Sequence, residues 1–427
     1  MLLKVKKSTA VKGAKITVPG SKSHTIRALF ISSLASGKSI ILKPLISDDA
    51  LSAVNTCKSF GAQIEVKDDF FAVEGFGGDP ELPCDVINVG NSGTTLRLGL
   101  SVAALAEGYT VFTGDQQIRN RPLQPLIEAI NNLGGIAFST RGNGMAPVVV
   151  KGKMNGGKTN LTAYTSQFLS SLLISCPLLE KDTEINIESL NEIPYVEMTM
   201  WWLNRQNIKY ENNDFKNIYI YGGQKYTKFE TTIPGDFSSA AFFMAQAAIS
   251  GDEITLMNLD MNDPQGDKEV LSILENMGAK VTYFDDYIVI KGDKLKGLET
   301  DMNSIPDALP AMAVVGCFAD GETRLVNVPQ ARLKETDRIS VMCQELKKMG
   351  ADITELPDGL IIRKSNLKGC EVDGHYDHRV VMALAIAGFN AVGTTVIKTA
   401  EAINATFPEF INLAEDCGYD IQLLPEN

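Results

Sequence analysis

A single pattern of apolar and polar positions recurs along the whole chain. In each copy, an amphipathic segment typical of a helix ends at a tight turn, and a strand with alternating apolar positions follows. In one copy the apolar residues between Val270 and Met277 fall on one helical face, and Gly278 comes next. The turn recurs at positions 61, 134, 206, 278, 350 and 418, in steps of 68–73 residues. This spacing predicts six structural repeats that account for the full length of the chain.

Prolines and glycines mark the ends of the predicted elements. Proline suits the first turn of a helix because its φ is fixed, and glycine ends a helix because it adopts positive φ without steric cost. The prolines at or just before predicted helix starts are Pro122, Pro194, Pro264 and Pro408. Five turns lead into a predicted β-hairpin, and the second arms of these hairpins read FFAVEG, APVVVKG, NIYIYGG, DYIVIKG and GLIIRK.

The sixth repeat has no second hairpin arm before the sequence stops at Asn427. At the other end, residues 2–5 and 14–18 read as strands that belong to no repeat of their own. We therefore predict that these N-terminal strands complete the sixth repeat.

This arrangement predicts an α/β chain of two domains with three repeats each. Residues 20–233 form the first domain, and residues 1–19 with 234–427 form the second. The chain crosses between them near Pro19 and Gly20 and again at residues 233–236. Because turns rich in glycine and proline suit a hinge, we expect a site between the two lobes to close on its ligand.

Composition narrows the class of protein. The chain has 427 residues, 44% hydrophobic and 22% charged, which is typical of a globular protein with two domains. It has no run of 18 apolar residues and no apolar segment near Met1, so we expect no membrane span and a cytoplasmic location. The net charge of -12 argues against a nucleic-acid partner. The seven cysteines lack CxxC spacing and read as reduced core thiols, and the three histidines lack metal-ligand spacing, so we expect no metal site.

Residues 89–97, reading VGNSGTTLR, join a strand-like run to a long apolar helix. Gly90 and Gly93 allow a close backbone approach, and the short polar side chains beside them can cap the helix. Free N–H groups at a helix N-terminus attract anions. A glycine-rich turn without a ligand fits these residues about as well. The choice between this turn and an anion site therefore depends on other motifs in the chain.

Other turns that open helices carry basic residues in both halves of the chain. Taken singly, PGSKSHTIR reads as a solvated helix start and KETDR within RLKETDR as a solvated charge run, while GDQQIRNRP and DHRV add further basic residues. Together they form a cationic set in an acidic protein, namely Lys22, Arg27, Arg97, Arg119, Arg121, Lys334, Arg338 and Arg379. Such a set suits a substrate with several negative charges. Two carboxylates among these cations, Asp307 and Glu335, suit acid–base groups.

These motifs resemble those of one enzyme family. VGNSGTTLR, PGSKS with Arg27, RNRP, TSQF, IPDA, RLKETDR and DHR occur in the order found in the 3-phosphoshikimate 1-carboxyvinyltransferases, or EPSP synthases, and span residues 22–410. The resemblance implies a two-domain inside-out α/β barrel built from six β-α-β-hairpin repeats. It also implies transfer of the enolpyruvyl group of phosphoenolpyruvate to the 5-hydroxyl of shikimate 3-phosphate, with release of phosphate. This reaction belongs to the shikimate pathway to chorismate and the aromatic amino acids. We expect a monomer without cofactor or metal that is inhibited by glyphosate.

The resemblance further implies roles for individual residues. The set implied for shikimate 3-phosphate is Lys22, Ser23, Arg27, Thr165, Ser166, Gln167, Tyr195, Asp307, Gln330 and Lys334. The set implied for phosphoenolpyruvate is Lys22, Asn91, Gly93, Arg121, Gln167, Arg338 and Arg379. We assign removal of the hydroxyl proton to Asp307, protonation of the methylene carbon to Glu335, and stabilisation of the leaving phosphate to Lys22.

Several positions depart from the family pattern. Glu192 and Thr165 stand where serine is common, and Gln330 replaces a common asparagine. Ala405 precedes Thr-Phe-Pro where the family usually has a lysine that contacts phosphoenolpyruvate, and Lys398 could compensate from the preceding strand.

Three alternative functions remain open at this stage. The related UDP-N-acetylglucosamine enolpyruvyl transferases normally carry a reactive cysteine where this chain has Asp115. A non-catalytic phosphosugar-binding protein would fit the changes at Ala405 and Glu192. An RNA-end-processing enzyme shares the repeat, but a pI near 4.9 speaks against it.

Overall fold

A computed structural model describes residues 1–8 and 12–425. The chain divides into two compact units. The middle unit is Gly20–Ile233, and the terminal unit is Met1–Pro19 with Pro234–Asn427. Each unit has its own cluster of buried apolar side chains. Each is therefore stabilised by apolar burial among its own residues.

Six four-stranded sheets, three in each unit, form the framework. The strands of the middle unit are β3 (Ser36–Leu42), β4 (Gln63–Val66), β5 (Phe70–Phe76), β6 (Ile87–Asn88), β7 (Tyr109–Thr113), β8 (Ile136–Ser139), β9 (Val148–Lys151), β10 (Gly157–Ala163), β11 (Thr183–Leu190), β12 (Tyr210–Asn213), β13 (Asn217–Ile220) and β14 (Glu230–Thr232). The strands of the terminal unit are β1 (Leu2–Lys6), β2 (Lys12–Thr17), β15 (Glu253–Met257), β16 (Lys280–Tyr283), β17 (Tyr287–Lys291), β18 (Glu299–Asp301), β19 (Glu322–Val326), β20 (Asp352–Leu356), β21 (Gly359–Arg363), β22 (Glu371–Asp373), β23 (Thr394–Lys398) and β24 (Ile421–Leu424).

All six sheets share one topology. The strand orders are β14-β3-β5-β4, β6-β7-β9-β8, β10-β11-β13-β12, β2-β15-β17-β16, β18-β19-β21-β20 and β22-β23-β1-β24. In each order the first pair of strands is parallel and the other two pairs are antiparallel. The antiparallel pairs confirm the five predicted hairpin arms.

In the described residues each repeat contains two helices, whereas the repeating pattern included only one; several of the others were predicted from their motifs alone. The inner helices are α1 (Lys22–Leu34), α3 (Gly93–Ala103), α5 (Ser166–Ser175), α7 (Phe237–Ser250), α9 (Leu309–Gly316) and α11 (His378–Asn390). The outer helices are α2 (Asp48–Ser59), α4 (Gln124–Asn132), α6 (Ile193–Arg205), α8 (Glu269–Met277), α10 (Arg338–Lys348) and α12 (Phe410–Asp416). Inner helices are buried on almost all sides, as in α9, where all eight residues are buried. A helix buried all round has no polar face, so its pattern does not stand out as part of a repeat.

The two N-terminal strands lie in different sheets. β1 lies between β23 and β24, so it supplies the missing arm of the sixth repeat as predicted. The prediction for residues 14–18 was wrong, because β2 pairs in parallel with β15 in the fourth sheet. β14 does the same for the first sheet by pairing with β3. In each unit, the last strand before the chain crosses to the other unit completes a sheet of its own unit. Periodicity within one repeat cannot reveal this pairing.

The turns that end the outer helices follow the predicted chemistry. Gly278 caps α8 in the left-handed conformation, with φ of 116°. In the third repeat, where the glycine is missing, Asn207 has a φ of 55°. Asparagine adopts positive φ more readily than most other residues, so the turn of the third repeat forms without glycine.

Other predictions are confirmed only in part. Five cysteines are buried, while Cys84 is exposed and Cys370 intermediate, so not all are core residues. Among the described residues, none of the helices combines the length and apolar character that a membrane crossing requires.

Candidate active site

The start of α1 carries the first predicted substrate-binding residues. Ser21 caps the helix by accepting a hydrogen bond from the backbone N–H of His24, and Lys22 is the first helical residue. The Nζ atom of Lys22 lies 3.2 Å from a carboxylate oxygen of Asp49 in the first turn of α2. Asp49 is buried and was missed in the sequence. The acidic run after Ser47 signalled a helix start, but nothing local signalled its partner.

Arg27, one turn after Ser23, is buried and bonded to neutral oxygen atoms. Its Nε donates to Thr199 Oγ1 at 2.8 Å, and its guanidinium also reaches the carbonyl oxygens of Ser23 at 3.0 Å and Tyr195 at 2.9 Å. Burial lowers the pKa of Arg27 to about 10, because desolvation disfavours the charged form. Arg27 therefore links α1 to α6 and brings a positive charge to this part of the middle unit.

Two further arginines converge on the first residue of α3. A Cβ atom added to Gly93 would lie 2.5 Å from an Nη atom of Arg121 and 2.9 Å from one of Arg97. Arg121 donates to the side-chain oxygen of Asn91 at 3.0 Å, and Arg97 donates to that of Gln167 at 2.6 Å. The helix N-terminus and the two guanidinium groups together make a strongly electropositive place.

The third inner helix of the middle unit, α5, begins at the TSQF motif. Thr165 is its N-cap and accepts from the backbone N–H of Gln167. One carboxylate oxygen of Glu192 accepts hydrogen bonds from the backbone N–H of Ser166 at 3.1 Å, from Ser166 Oγ at 2.8 Å and from Thr165 Oγ1 at 3.2 Å. Glu192 is itself the N-cap residue of α6 and is 1% exposed. A carboxylate thus lies at the start of the helix to which substrate binding was assigned.

In the terminal unit, the predicted base Asp307 is surrounded by cations. It lies in a short 3₁₀ helix, Pro306–Ala308. One of its carboxylate oxygens is 2.8 Å from Arg338 and 3.6 Å from Lys334, and the other is 3.1 Å from Arg379. The IPDA, RLKETDR and DHR motifs therefore meet at one carboxylate.

Arg338 is the centre of this cluster. It bonds to Glu335 at 2.5 Å and to a third carboxylate, Asp377, at 2.8 Å. Burial alone would lower the pKa of Arg338, but the charges of Asp377, Glu335 and Asp307 raise it above its ordinary value. Asp377 is fully buried and also caps α11 by accepting from the backbone N–H of Arg379. Its position before a helix predicts a capping residue, but nothing in the sequence indicates that the same carboxylate also bonds to Arg338.

The start of α7 adds another contact that sequence reasoning missed. Ser238 accepts a hydrogen bond from Arg379 through its hydroxyl oxygen at 3.0 Å, and its own N–H is capped by Asp236. Asp236 and Ser238 lie at and just after the predicted crossing at residues 233–236. The signal was the acidic residue after Pro-Gly, which was read only as a turn.

A chain of bonds holds the turn before the DHR motif. His375 contacts a carboxylate oxygen of Glu345 at 3.0 Å, and Lys348 donates to the same group. Burial alone would raise the pKa of Glu345, but hydrogen bonds from His375, Lys348 and the N–H of Asp373 lower it to about 2. The hydrogen bond to Glu345 in turn raises the pKa of His375. Glu345 is part of α10, so these contacts tie this turn to the helix that carries Arg338.

Comparisons with known proteins show which family the chain belongs to. The family model of EPSP synthase (3-phosphoshikimate 1-carboxyvinyltransferase) matches residues 5–413. The 3-phosphoshikimate 1-carboxyvinyltransferase of Acetivibrio thermocellus is 66% identical, with 99% of each chain covered. The corresponding protein of Ruminiclostridium cellulolyticum is 63% identical, with 99% of this chain and all of that protein covered. The solved EPSP synthase of Acinetobacter baumannii matches with a TM-score of 0.83 at 29% identity, over 99% of both chains.

The chain belongs to the EPSP synthase family. It is an enolpyruvyl transferase of the shikimate pathway, and the two-domain inside-out α/β fold that the resemblance implied is confirmed. The alternatives of an RNA-end-processing enzyme and a UDP-N-acetylglucosamine enolpyruvyl transferase are set aside by the same matches. Asp115, where the second of these has its cysteine, accepts hydrogen bonds from Asn91 at 2.6 Å and from the N–H of Ile118 at 2.8 Å. In this EPSP synthase family member it shapes the loop that carries Asn91.

Two other residues that depart from the EPSP synthase pattern have defined places in the terminal unit. Gln330 is buried and donates to the carbonyl oxygen of Asn303 at 3.0 Å. Ala405 ends the 3₁₀ helix Ala400–Ala405. The Nζ atom of Lys398 lies 2.5 Å from Glu371 on the neighbouring strand, with both side chains more than one-third exposed. This surface pair does not favour Lys398 as a replacement for the missing lysine.

The predicted residues divide between the two units, and each set is called a group by the unit in which it lies. The middle-unit group is Lys22, Ser23, Arg27, Asn91, Gly93, Arg97, Arg121, Thr165, Ser166, Gln167 and Tyr195. The terminal-unit group is Asp307, Gln330, Lys334, Glu335, Arg338 and Arg379. Arg119, also in the predicted cationic set, is exposed and donates to the carbonyl oxygen of Gly114, so it stabilises its own loop.

Proposed function

We propose that this chain transfers the enolpyruvyl group of phosphoenolpyruvate to the 5-hydroxyl of shikimate 3-phosphate by means of these two groups of residues. The observation that carries the proposal is Asp307, a carboxylate held by Lys334, Arg338 and Arg379, with Glu335 bonded to the same Arg338. Two carboxylates on a shared cation suit a reaction that removes one proton and delivers another.

Phosphoenolpyruvate carries a carboxylate and a phosphate, so it requires several cationic donors. We assign its binding to Lys22, Asn91, Gly93, Arg121 and Gln167 of the middle unit and to Arg338 and Arg379 of the terminal unit. The guanidinium groups offer forked pairs of N–H donors that match either anionic end. The absence of a side chain at Gly93 lets the guanidinium ends of Arg97 and Arg121 lie close to the α3 N-terminus, where an anion would meet both them and the helix N–H groups.

Shikimate 3-phosphate presents a phosphate, a carboxylate and ring hydroxyls. We assign its anionic groups to Lys22, Ser23, Arg27, Thr165, Ser166, Gln167 and Tyr195 of the middle unit. We assign its ring hydroxyls to Asp307, Gln330 and Lys334. The hydroxyls and N–H groups at the start of α5 suit a phosphate, because each can donate one hydrogen bond.

The chemistry requires an addition followed by an elimination. In the addition, Asp307 accepts the proton of the 5-hydroxyl, the oxygen bonds to C2 of phosphoenolpyruvate, and Glu335 donates a proton to C3, which becomes a methyl group. In the elimination, the methyl group loses a proton to Glu335, the C2–C3 double bond forms again, and the bond from C2 to the phosphate oxygen breaks. Lys22 stabilises the phosphate as it leaves, and Asp307 returns its proton to solvent or product.

A phosphate-release assay tests this proposal. Release should require both phosphoenolpyruvate and shikimate 3-phosphate, and the organic product should carry the enolpyruvyl group on the 5-oxygen. Binding of both substrates without turnover would support a non-catalytic protein instead. We further propose that the chain acts as a monomer in the cytoplasm, which gel filtration and cell fractionation can check.

A further inference from the structure

The carboxylate of Glu192 lies where an anionic ligand of α5 would bind. A single oxygen of this side chain accepts from the N–H and the hydroxyl of Ser166 and from the hydroxyl of Thr165, at 2.8–3.2 Å. These are the groups assigned above to the phosphate of shikimate 3-phosphate. We propose that Glu192 is a resident anion that competes with this phosphate and thereby sets the affinity and specificity for the phosphorylated substrate. The inference rests on the proposed assignment of the α5 first turn.

Competition follows from the number of donors and from charge. The oxygen of Glu192 already uses three donors, and Ser166 and Glu192 are both 1% exposed. A phosphate cannot bond to the same N–H and hydroxyl groups until the carboxylate has moved away. If the carboxylate stayed beside a bound phosphate, the two negative charges would repel each other in a poorly solvated place.

The local backbone allows such a movement. The side chain of Glu192 makes no capping hydrogen bond to its own helix α6. The α6 start is held instead through the backbone, where the carbonyl oxygen of Glu192 accepts from the N–H of Tyr195 at 3.1 Å. Rotation of the side chain therefore breaks the bonds to α5 while the α6 start stays in place. The helix that supplies the Tyr195 carbonyl to Arg27 need not be disrupted.

This arrangement makes a specific prediction about substrate discrimination. A substrate without the phosphate, such as shikimate, does not have to displace Glu192. The carboxylate therefore lowers the affinity for shikimate 3-phosphate but not the affinity for shikimate. Removing its charge should increase the preference for shikimate 3-phosphate over shikimate.

Two substitutions separate charge from shape. Glu192→Gln keeps the length of the side chain and an oxygen acceptor for Ser166 and Thr165, but removes the charge. Glu192→Ser also removes the competing acceptor. We expect both variants to lower KM and Kd for shikimate 3-phosphate at least tenfold, equivalent to about 1.4 kcal/mol, with the larger effect for serine. KM for phosphoenolpyruvate should change less than twofold, and inorganic phosphate should compete with shikimate 3-phosphate at roughly tenfold lower concentration.

Two controls complete the experiment. Glu197→Gln removes an exposed charge from the same helix and should leave all constants unchanged. Ser166→Ala should raise KM for shikimate 3-phosphate in the wild-type background. If Ser166→Ala raises this KM while both Glu192 variants, with wild-type melting temperature, leave it unchanged or raise it, Glu192 does not compete and the inference is wrong. If Ser166→Ala has no effect, the assignment of α5 to the phosphate fails, and the inference fails with it.

Discussion

Arg27 and Arg338 are both buried arginines near the starts of helices, yet their surroundings are opposite. Arg27 in the middle unit bonds to a hydroxyl and to carbonyl oxygens, and burial lowers its pKa to about 10. Arg338 in the terminal unit bonds to three carboxylates, whose charges outweigh the effect of burial and raise its pKa. Two equally buried arginines therefore have pKa values shifted in opposite directions by their surroundings.

The contrast extends to the neighbours of each arginine. Arg97 and Arg121 donate to the amide oxygens of Gln167 and Asn91, which leaves a positive potential for an incoming anion. In the terminal unit, the positive charges of Lys334, Arg338 and Arg379 face an equal number of carboxylates, Asp307, Glu335 and Asp377. Neutral partners suit anion binding, and paired charges hold the carboxylates in fixed positions.

The largest expected effect comes from removing a carboxylate of the terminal unit. Asp307→Ala and Glu335→Ala should each reduce kcat by roughly 10²–10⁴, because each removes a proton-transfer group. Binding of shikimate 3-phosphate, measured by calorimetry, should remain detectable. Glu299→Gln is the control, because it removes an exposed carboxylate that is also bonded to an arginine. Turnover close to wild type in either alanine variant would exclude that residue from proton transfer.

Arg338→Met and Arg27→Met test the comparison directly through stability. Arg338→Met leaves the buried Asp377 and the partly buried Asp307 and Glu335 without their shared cation and should cost about 3–5 kcal/mol in the free energy of unfolding. Arg27→Met leaves only neutral acceptors and should cost about 1–3 kcal/mol. Denaturant unfolding of the ligand-free proteins measures both values. Equal losses would mean that the charge of the partners does not distinguish the two sites.

Ala405→Lys adds a cation to the terminal unit, where Arg338 and its neighbouring cations are already paired with carboxylates. A hydrogen bond to a charged group contributes about 1.5–3 kcal/mol, so KM for phosphoenolpyruvate should fall roughly ten- to a hundredfold. KM for shikimate 3-phosphate should change little. Lys398→Ala should leave both values unaltered, because this lysine is paired with Glu371 at the surface. A sharp rise of KM in Lys398→Ala would show that it replaces the missing lysine after all.

Gly93→Ala should perturb the middle unit least. Its methyl group would push the ends of Arg97 and Arg121 apart, and these flexible ends can move at small cost. We expect the inhibition constant of glyphosate to rise roughly tenfold, about 1.4 kcal/mol, while KM for phosphoenolpyruvate rises less. Gly142→Ala is the control for inhibition, since an added Cβ there meets no atom within 4 Å and its positive φ of 65° affects only stability. Unchanged inhibition in Gly93→Ala would place the inhibitor away from the α3 start.

The sequence determined the repeats, the hairpins and the cationic helix starts, because these depend on local periodicity, turn chemistry and capping. Asn207 shows how strong this local signal is, since the turn survives where the glycine is absent. The inner helices were not recognised as part of the repeat, because a helix buried on all sides lacks the amphipathic pattern. β2 was predicted as a strand but assigned to the wrong sheet, because nothing in the sequence distinguished its partner β15 from the incomplete sixth repeat.

Tertiary structure alone decided which charges meet. The RLKETDR and DHR motifs contain Arg338 and Asp377, but only the packing of α10 against α11 brings the two side chains within 2.8 Å of each other. Likewise, the sequence showed Glu192 only as a residue that stands where serine is common, yet its carboxylate reaches across 26 positions of sequence to Ser166. Capping and periodicity act over a few residues, whereas the partner of a buried charge is chosen by whichever distant element the fold places beside it. That choice separates Arg27, whose partners are neutral oxygen atoms, from Arg338, whose partners are carboxylates.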